Sequence, residues 1–539
     1  MNIRKKVNWT LVILIIVFCI TRIVLSFSSM KYVDGEEAVY GVMAKMILEN
    51  GDHPLLCWGQ AYSGACALHG YLVTIPYSIF GSAQFIVRIF NILLSLGILI
   101  VSYFFTKKHF NHKTAVITSV LLIFASPFFI RFNLIHFPYM ITLFFQTLII
   151  YLLYEIWYNK KNSYLIFALL GFLIGFSVYN LELIIPFLFM CAIFWFIHNP
   201  KFIFRKQTMV LIMFLIIGIS PLIYYNATHD NANIKQFFAG TIFHKVVCKF
   251  GIIPQEINFN GRIVNHCKLF TTTRAGNPPD VFIGKVVPGI FGDGLFGIVI
   301  FSLTLLSIVY LMYTLLKMYK KRMNSKNILD KGILVLKDKK SFIIMFSLLF
   351  PFADFFSGFA DTRHLLPLFP FVYICVSLAI IKLFENKGII QKVIAAVISG
   401  IFLANSVFGY YSLMTMHEDN DETEVIHFLN NNNIKYAYST SFLQYRLLFQ
   451  SDVRIIVSCE GICPLPYKYP YFENTVSEKN KYAYVFIKDN NYEVNLKKYL
   501  GSNNVSYSLE MIKNRAIYYN FSEDVRPSMF VANKTMFGE

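Results

Sequence analysis

Leu11-Val-Ile-Leu-Ile-Ile-Val-Phe-Cys-Ile-Thr-Arg-Ile-Val-Leu-Ser-Phe27 is followed, after a short polar step, by Asp34-Gly35-Glu36-Glu37. The first segment is long enough to cross a hydrocarbon core, which takes roughly 17–25 apolar residues. Arg4, Lys5 and Lys6 precede it, and no small-residue cleavage site follows, so it reads as a retained membrane span and not a removable signal peptide. The rest of the chain repeats the pattern. Of 539 residues, 56% are hydrophobic and only 15% charged, and the mean hydropathy is +0.53. Soluble domains run about 45–50% apolar and about 25% charged. That excess excludes disorder and an ordinary soluble enzyme, and calls for lipid as the surrounding solvent.

Further apolar runs of spanning length lie near 84–106, 114–130, 138–157, 164–180, 182–198, 207–225, 294–316, 341–357, 365–384 and 393–414. The fold class is therefore a polytopic α-helical membrane protein with about eleven spans. With the N-terminus in the cytoplasm, the inner loops carry Lys107, Lys108 and Lys113, then Lys160 and Lys161, then Lys201, Arg205 and Lys206, the run Lys317–Lys340, and Lys387 with Lys392. This alternation follows the positive-inside rule. It turns the net charge of +18 into an orientation signal, with anionic lipid head groups as the partner and no role for nucleic acid. An odd number of spans places the C-terminus outside, with outer loops at 28–83 and 226–290.

The chain divides into a membrane domain at 1–415, carrying those two loops, and an extracytoplasmic tail at 416–539. In the first loop, Val39, Val42, Met43, Met46 and Ile47 recur at helical intervals, which predicts an amphipathic helix lying at the membrane surface. In the tail, helical patterns at Glu422–Asn430 and Phe442–Phe449 alternate with β-rich runs at Ile434–Tyr438, Arg454–Ser458 and Tyr482–Ile487, which predicts a small α/β domain. Of nine cysteines, Cys19, Cys191 and Cys375 fall within spans as packing residues. Cys57, Cys66, Cys248, Cys267, Cys459 and Cys463 fall outside, an even set open to disulfide pairing. None of the Cys and His residues has the spacing of a structural zinc site, and no metal ligand set is assigned.

The acidic cluster at 34–37 stands out against so apolar a background. Asp34 and Glu37 fit a capping box, with the helix dipole favouring all three charges. A cap needs one or two such groups, and a third carboxylate at the membrane mouth suits a base that takes a proton from an acceptor hydroxyl. Arg88 and Arg363 sit at the outer starts of their spans, where arginine also snorkels to head groups. Asp354 lies near the outer end of the ninth span; Arg22, Glu155 and Glu182 lie near span ends within reach of water, and Asn133 and His136 fall in a short, solvated outer loop.

Asp34-Gly-Glu-Glu-Ala-Val-Tyr-Gly-Val-Met-Ala-Lys-Met-Ile-Leu-Glu-Asn-Gly-Asp, then Trp58-Gly-Gln-Ala-Tyr-Ser-Gly, then Ile79-Phe-Gly-Ser-Ala-Gln-Phe-Ile-Val-Arg88 resembles the opening of the GT-C membrane glycosyltransferases, in the protein mannosyltransferase and aminoarabinose transferase branch (glycosyltransferase family 39-like). Gly171-Phe-Leu-Ile-Gly-Phe-Ser-Val-Tyr-Asn, Ile219-Ser-Pro-Leu-Ile-Tyr-Tyr-Asn226 and Arg363-His-Leu-Leu-Pro-Leu-Phe-Pro370 resemble later family segments in the same order, and Tyr445-Arg-Leu-Leu-Phe a segment of some bacterial members. The resemblance implies a GT-C-like fold and an enzyme that moves a hexosyl or pentosyl group from a polyprenyl-phosphate donor to a glycan, protein or lipid acceptor on the outer face, by inverting displacement. It places the catalytic acidic pair on Glu36 and Glu37, with Asp34 as an alternative base because Glu36 stands where Asp is usual. It points to donor-phosphate contacts at Arg88 and Arg363; His364, which stands where the family usually has Tyr, is a further candidate contact, and Gln60 and Tyr62, which replace a Lys-Pro of the lipid A branch, are read with Asp354 as pocket positions. Arginine can neutralise a phosphate leaving group without an obligatory metal, so no cofactor is certain and a divalent cation is an optional addition. The rival readings are a transporter or flippase of lipid-linked sugars, and a non-catalytic glycan-binding envelope protein.

Overall fold

A computed structural model describes residues 8–29, 32–58, 62–239, 256–259, 262–265, 294–322, 335–357, 362–414, 420–460, 462 and 469–531. In chain order its helices are α1 (Trp9–Ser28), α2 (Gly35–Asn50), α3 (Gly64–Phe80), α4 (Gln84–His109), α5 (His112–Ile123), α6 (Pro127–Ile135), α7 (Phe137–Trp157), α8 (Tyr164–Asn180), α9 (Ile185–His198), α10 (Lys206–Thr228), α11 (Ala232–Ala239), α12 (Gly294–Arg322), α13 (Ser341–Ser357), α14 (Phe369–Glu385), α15 (Ile389–Met414), α16 (Thr423–Asn431), α17 (Ser441–Gln450), α18 (Pro470–Ser477), α19 (Asn491–Ser502) and α20 (Pro527–Phe530). The strands are β1 (Glu256–Phe259), β2 (Arg262–Asn265), β3 (Tyr436–Ser439), β4 (Ile456–Ser458), β5 (Ala483–Ile487), β6 (Ser508–Ile512) and β7 (Arg515–Tyr519). By internal contacts the chain forms two compact units, Met1–Leu25 with Asn91–Leu413, and Ser26–Phe90 with Met414–Glu539.

The first unit is the multi-pass membrane part. Across the described residues, seven helices are long and apolar enough to cross a membrane, or eight if the bent pair α5–α6 is one span. The expected runs at 164–180, 182–198 and 341–357 coincide with the shorter apolar helices at Tyr164–Asn180, Glu182–His198 and Ser341–Phe350. The expected straight span at 114–130 is broken: α5 and α6 meet at 75°. Pro127 explains the break, because the residue before a proline is pushed out of the helical region, and Ser126 is extended and caps α6 by accepting the Phe129 amide.

That break leaves the last carbonyls of α5 without helical partners, and side chains from distant helices supply them. Arg22 on α1 donates to Ile123 O at 3.0 Å and Leu122 O at 3.4 Å, Tyr410 Oη donates to Ile123 O at 3.1 Å, and Ser406 Oγ donates to Phe124 O. A cation at a helix C-terminus is also favoured by the dipole. Arg22 is thus fully buried, and the expectation that water reaches it is corrected. Asn133 and His136 are buried as well, since α6 folds inward: Ser95 Oγ donates to Asn133 Oδ1 at 3.0 Å, and Asn91 Nδ2 to Leu134 O at 2.9 Å. Gly171 of the quoted α8 segment has a packing reason. A Cβ there would stand 2.1 Å from Leu211 O on α10.

The second unit joins the first loop to the tail. The expected division at 415/416 follows the end of α15 along the chain, whereas packing groups Ser26–Phe90 with Met414–Glu539. Its sheet has the order β4-β3-β5-β7-β6. β3 runs parallel to β4 and β5, while β5 with β7 and β7 with β6 are antiparallel. The helical and β-rich runs expected in the tail appear within a few residues as α16, β3, α17, β4 and β5. α2 departs from expectation. It is not an amphipathic surface helix, because every residue from Glu37 to Ala44 is buried. α3 and α17 both pack on it, with the Phe442 and Phe449 rings seated against Gly35 and Gly41.

Candidate active site

The acidic cluster folds into three separate environments. Asp34 is the N-cap of α2, extended at φ −74° and ψ 146°, and its carboxylate accepts the Glu36 amide at 3.0 Å. Glu37 points into the unit and is fully buried. Glu36, between them, is half-buried, and Tyr40 Oη one turn on donates to its Oε2 at 3.3 Å.

Glu37 meets Arg88 in a bidentate pair: Nε donates to Oε1 at 2.6 Å and Nη2 to Oε2 at 3.0 Å. Gln84 Nε2 adds a third bond to Oε2 at 3.1 Å. The remaining Arg88 N–H groups are taken by backbone and hydroxyl oxygens: Nη1 by Ser26 O and Ser29 O at 3.2 Å and Ser29 Oγ at 2.9 Å, Nη2 by Tyr32 O at 2.7 Å. Both side chains are 0% exposed. A guanidinium has five N–H donors, and these acceptors use its fork on all sides. The geometry makes Glu37 and Arg88 a structural clasp between α2, the start of α4 and the chain at Ser26–Tyr32, and leaves Arg88 no face for a substrate phosphate.

Residues that the sequence reading did not single out complete the surroundings. Buried Glu422 pairs with Arg515, whose Nε and Nη2 donate at 2.9 and 2.7 Å, and with Arg446 Nε at 3.2 Å. Arg446 belongs to the quoted Tyr445-Arg-Leu-Leu-Phe segment, and its charge also faces Asp34. Two arginines against one buried glutamate leave a positive surplus that Asp34 offsets. In the C-terminal half of α2, Lys45 Nζ holds Asp452 Oδ1 at 2.7 Å, and Ser82 donates to the same carboxylate. Burial opposes ionisation there, but the Lys45 and Ser82 bonds outweigh it and hold the Asp452 carboxyl below its ordinary value. His69 on α3 is fully buried, which pushes its imidazole down to about 3. It is neutral, and its Nε2 lies 3.0 Å from Val87 O, an acceptor, so Nε2 carries the proton. It is a brace between α3 and α4, not a base.

The first loop is tied further by the Cys57–Cys66 disulfide. Beside it Trp58 stacks on Tyr469 at 4.4 Å, and the Tyr469 hydroxyl donates to Asp52. Cys459 is also disulfide-bonded. Cys248, Cys267 and Cys463 lie outside the described residues.

In the membrane unit, Arg363 is exposed on the 3-10 turn Thr362–Leu368. The side chains of its neighbour His364 and of Asp354 lie outside the described residues, as does Gln60. Tyr62 is half-buried just before α3. Among the described residues no three His, Cys, Asp or Glu side chains converge to hold a metal ion.

Residues 65–225 match the family model for dolichyl-phosphate-mannose-protein mannosyltransferases. The fold matches that of ArnT from Cupriavidus metallidurans bound to undecaprenyl phosphate, with a TM-score of 0.58 and 11% identity over 93% of this chain and 97% of that one. Residues 65–225 are thus similar to that mannosyltransferase family, and the chain shares the fold of ArnT. The GT-C fold also aligns with the Archaeoglobus fulgidus oligosaccharyltransferase in its apo form, with a TM-score of 0.54 and 12% identity over 93% of this chain and 71% of that one. The archaeal oligosaccharyltransferase AglB from the same organism, in complex with an inhibitory peptide and a dolichol-phosphate, gives a TM-score of 0.54 and 12% identity over 97% and 75%. No curated protein matches the chain by sequence. The apolar helices make the chain a multi-pass membrane protein.

Proposed function

We propose that the protein transfers a sugar from a polyprenyl-phosphate donor to an acceptor on the outer face of the membrane, with Glu36 as the base. The observation that carries this reading is the division of labour in the acidic cluster. Asp34 is spent on the helix cap and Glu37 on Arg88, whereas Glu36 keeps a partly exposed carboxylate on a fixed first turn. An acceptor hydroxyl attacking the anomeric carbon must lose its proton as the bond forms, and a positioned carboxylate typically contributes about 10²–10⁴-fold to such a step. Attack opposite the departing phosphate inverts the anomeric centre.

The lipid phosphate is the leaving group, and its charge is assigned to Arg363 and His364, with paired hydrogen bonds from the guanidinium. A lipid-linked donor is supported by the likeness to ArnT bound to undecaprenyl phosphate and AglB in complex with a dolichol-phosphate. Tyr62, Gln60 and Asp354 remain the proposed pocket positions. The N-terminus is assigned to the cytoplasm and the tail to the outside by the Lys and Arg content of alternate loops. No cofactor is required by this scheme; adding or chelating a divalent cation in the assay tests whether side chains alone neutralise the phosphate.

The experiment is release of polyprenyl phosphate from a radiolabelled polyprenyl-phosphate sugar by reconstituted protein. Glu36→Gln is expected to lower turnover by about 10²-fold or more with unchanged thermal unfolding, while Asp34→Asn, which retains a capping oxygen, keeps most activity. Full activity in Glu36→Gln would remove the base assignment. A wild-type protein that binds the donor without consuming it would overturn the enzyme reading itself.

A further inference from the structure

The groove between α5 and α14 points to a bound membrane lipid remote from the acidic cluster in sequence and chemistry. Its volume is about 480 Å³, within the ~300–1,000 Å³ that small-ligand sites occupy. Val116 and Ile117 on α5 and Ile381 and Phe384 on α14 supply apolar walls, and Thr118 Oγ1 donating to Ser377 Oγ at 3.0 Å ties the two helices just beyond it. The walls suit a hydrocarbon chain.

The rim is charged and asymmetric. His112 and Lys113 stand on one side, in the first turn of α5, and Glu385 on the other, the last residue of α14. The helix dipoles reinforce that polarity, positive at the α5 N-terminus and negative at the α14 C-terminus. Neighbouring cations are already engaged: Lys108 with Glu155 at 2.6 Å, and Lys107 over the Tyr103 ring. Lys382, in the last turn of α14, does not line the groove. Among the described residues, Lys113 and Glu385 make no ion pair with each other or with a third group.

A cation and a carboxylate lining one apolar groove from two different helices complement a head group that carries a phosphate and an ammonium. We propose that this groove holds one phospholipid with a primary ammonium head group, its phosphate on Lys113, its ammonium on Glu385 and one acyl chain between α5 and α14. An anionic lipid would gain Lys113 but place its charge against Glu385. A quaternary ammonium could approach Glu385 but has no N–H to donate to it.

The test is native mass spectrometry of the full-length, delipidated protein in detergent, offered phosphatidylethanolamine, phosphatidylcholine, phosphatidylglycerol or undecaprenyl phosphate. Phosphatidylethanolamine is expected to be retained about tenfold more tightly than either other phospholipid, the ratio that ~1.4 kcal/mol produces. Glu385→Lys, an exposed rim change, is expected to reverse the preference toward phosphatidylglycerol, and Ile117→Trp to abolish retention by filling the groove, while Lys392→Ala changes nothing. Equal retention of the three phospholipids, tightest retention of undecaprenyl phosphate, or an unchanged preference in Glu385→Lys would each overturn the proposal. Thermal unfolding of each variant identifies any that fails to fold, and Glu385→Lys, on the surface, carries the decision if Ile117→Trp does so.

Discussion

Replacing Arg88 by methionine should loosen the second unit far more than a surface arginine would. The side chain is fully buried, so its removal leaves Glu37 as an uncompensated internal charge with only Gln84 beside it. Breaking a buried pair in this way costs about 3–5 kcal/mol. The carbonyls of Ser26, Ser29 and Tyr32 also lose their donors, at about 1–3 kcal/mol for each that water cannot reach. Contributions within one network do not add, so we take ~3–5 kcal/mol as the working figure. At about 2–4 °C per kcal/mol for a unit of this size, the unfolding midpoint falls by roughly 6–20 °C. Trp58 lies in the same unit, stacked on Tyr469, and its fluorescence in detergent reports the transition. Glu37→Gln should shift the midpoint in the same direction, and Glu37→Leu with Arg88→Met should recover part of the loss, because an apolar pair carries no desolvation penalty. Arg88→Met with the parent midpoint would refute the clasp. Glu37→Gln that unfolds like the parent yet abolishes transfer would return Glu37 to the chemistry.

Gly41→Val should destabilise the docking of α17 on α2 by about 1–3 kcal/mol, because even a Cβ would stand 2.2 Å from the Phe449 ring; limited proteolysis of the tail reads this, and Phe449→Ala in the same chain should relieve it. Reducing agent should lower the unfolding midpoint of the parent more than that of Cys57→Ser, which keeps the Cys459 bridge, the Cys57–Cys66 bond being worth about 2–4 kcal/mol; an equal shift in both would show that the Cys57–Cys66 bond stabilises nothing. The Asp452 clamp should weaken in acid. Its folded carboxyl lies below the ordinary value, so its stabilisation is complete above the unfolded pKa, near 4, and is lost as pH falls through the lower folded value. Asp452→Asn should therefore flatten the pH dependence of unfolding in that acid range and leave it unchanged at neutral pH.

The apolar segments were legible along the chain because hydropathy and span length are local quantities: a run such as Leu11–Phe27 buries itself in lipid whatever its neighbours do. The same holds for the break in 114–130, which Ser126-Pro127 announces to a reader who weighs the proline against the hydropathy of the run. The cap at Asp34 is equally local. Arg22 shows the limit. Its position near a span end suggests contact with water, but its partners, Leu122, Ile123 and Tyr410, are far away in sequence, and only the fold reveals an intramembrane cation serving a broken helix.

Composition and periodicity by themselves determined a multi-pass membrane chain, its basic loops, an acidic cluster after the first span and an α/β tail. The resemblance of its motifs added the GT-C type. Tertiary structure decided which carboxylate in that cluster is fully buried in an ion pair. Glu36 and Glu37 are adjacent and chemically identical, and nothing local separates them; the distinction comes from Arg88, on another helix, closing over Glu37. One helical step of about 100° turns one carboxylate into a structural ion pair and leaves the other half-buried. That difference is set by what packs against each face of the helix, a non-local quantity that the spacing of residues along the chain does not contain.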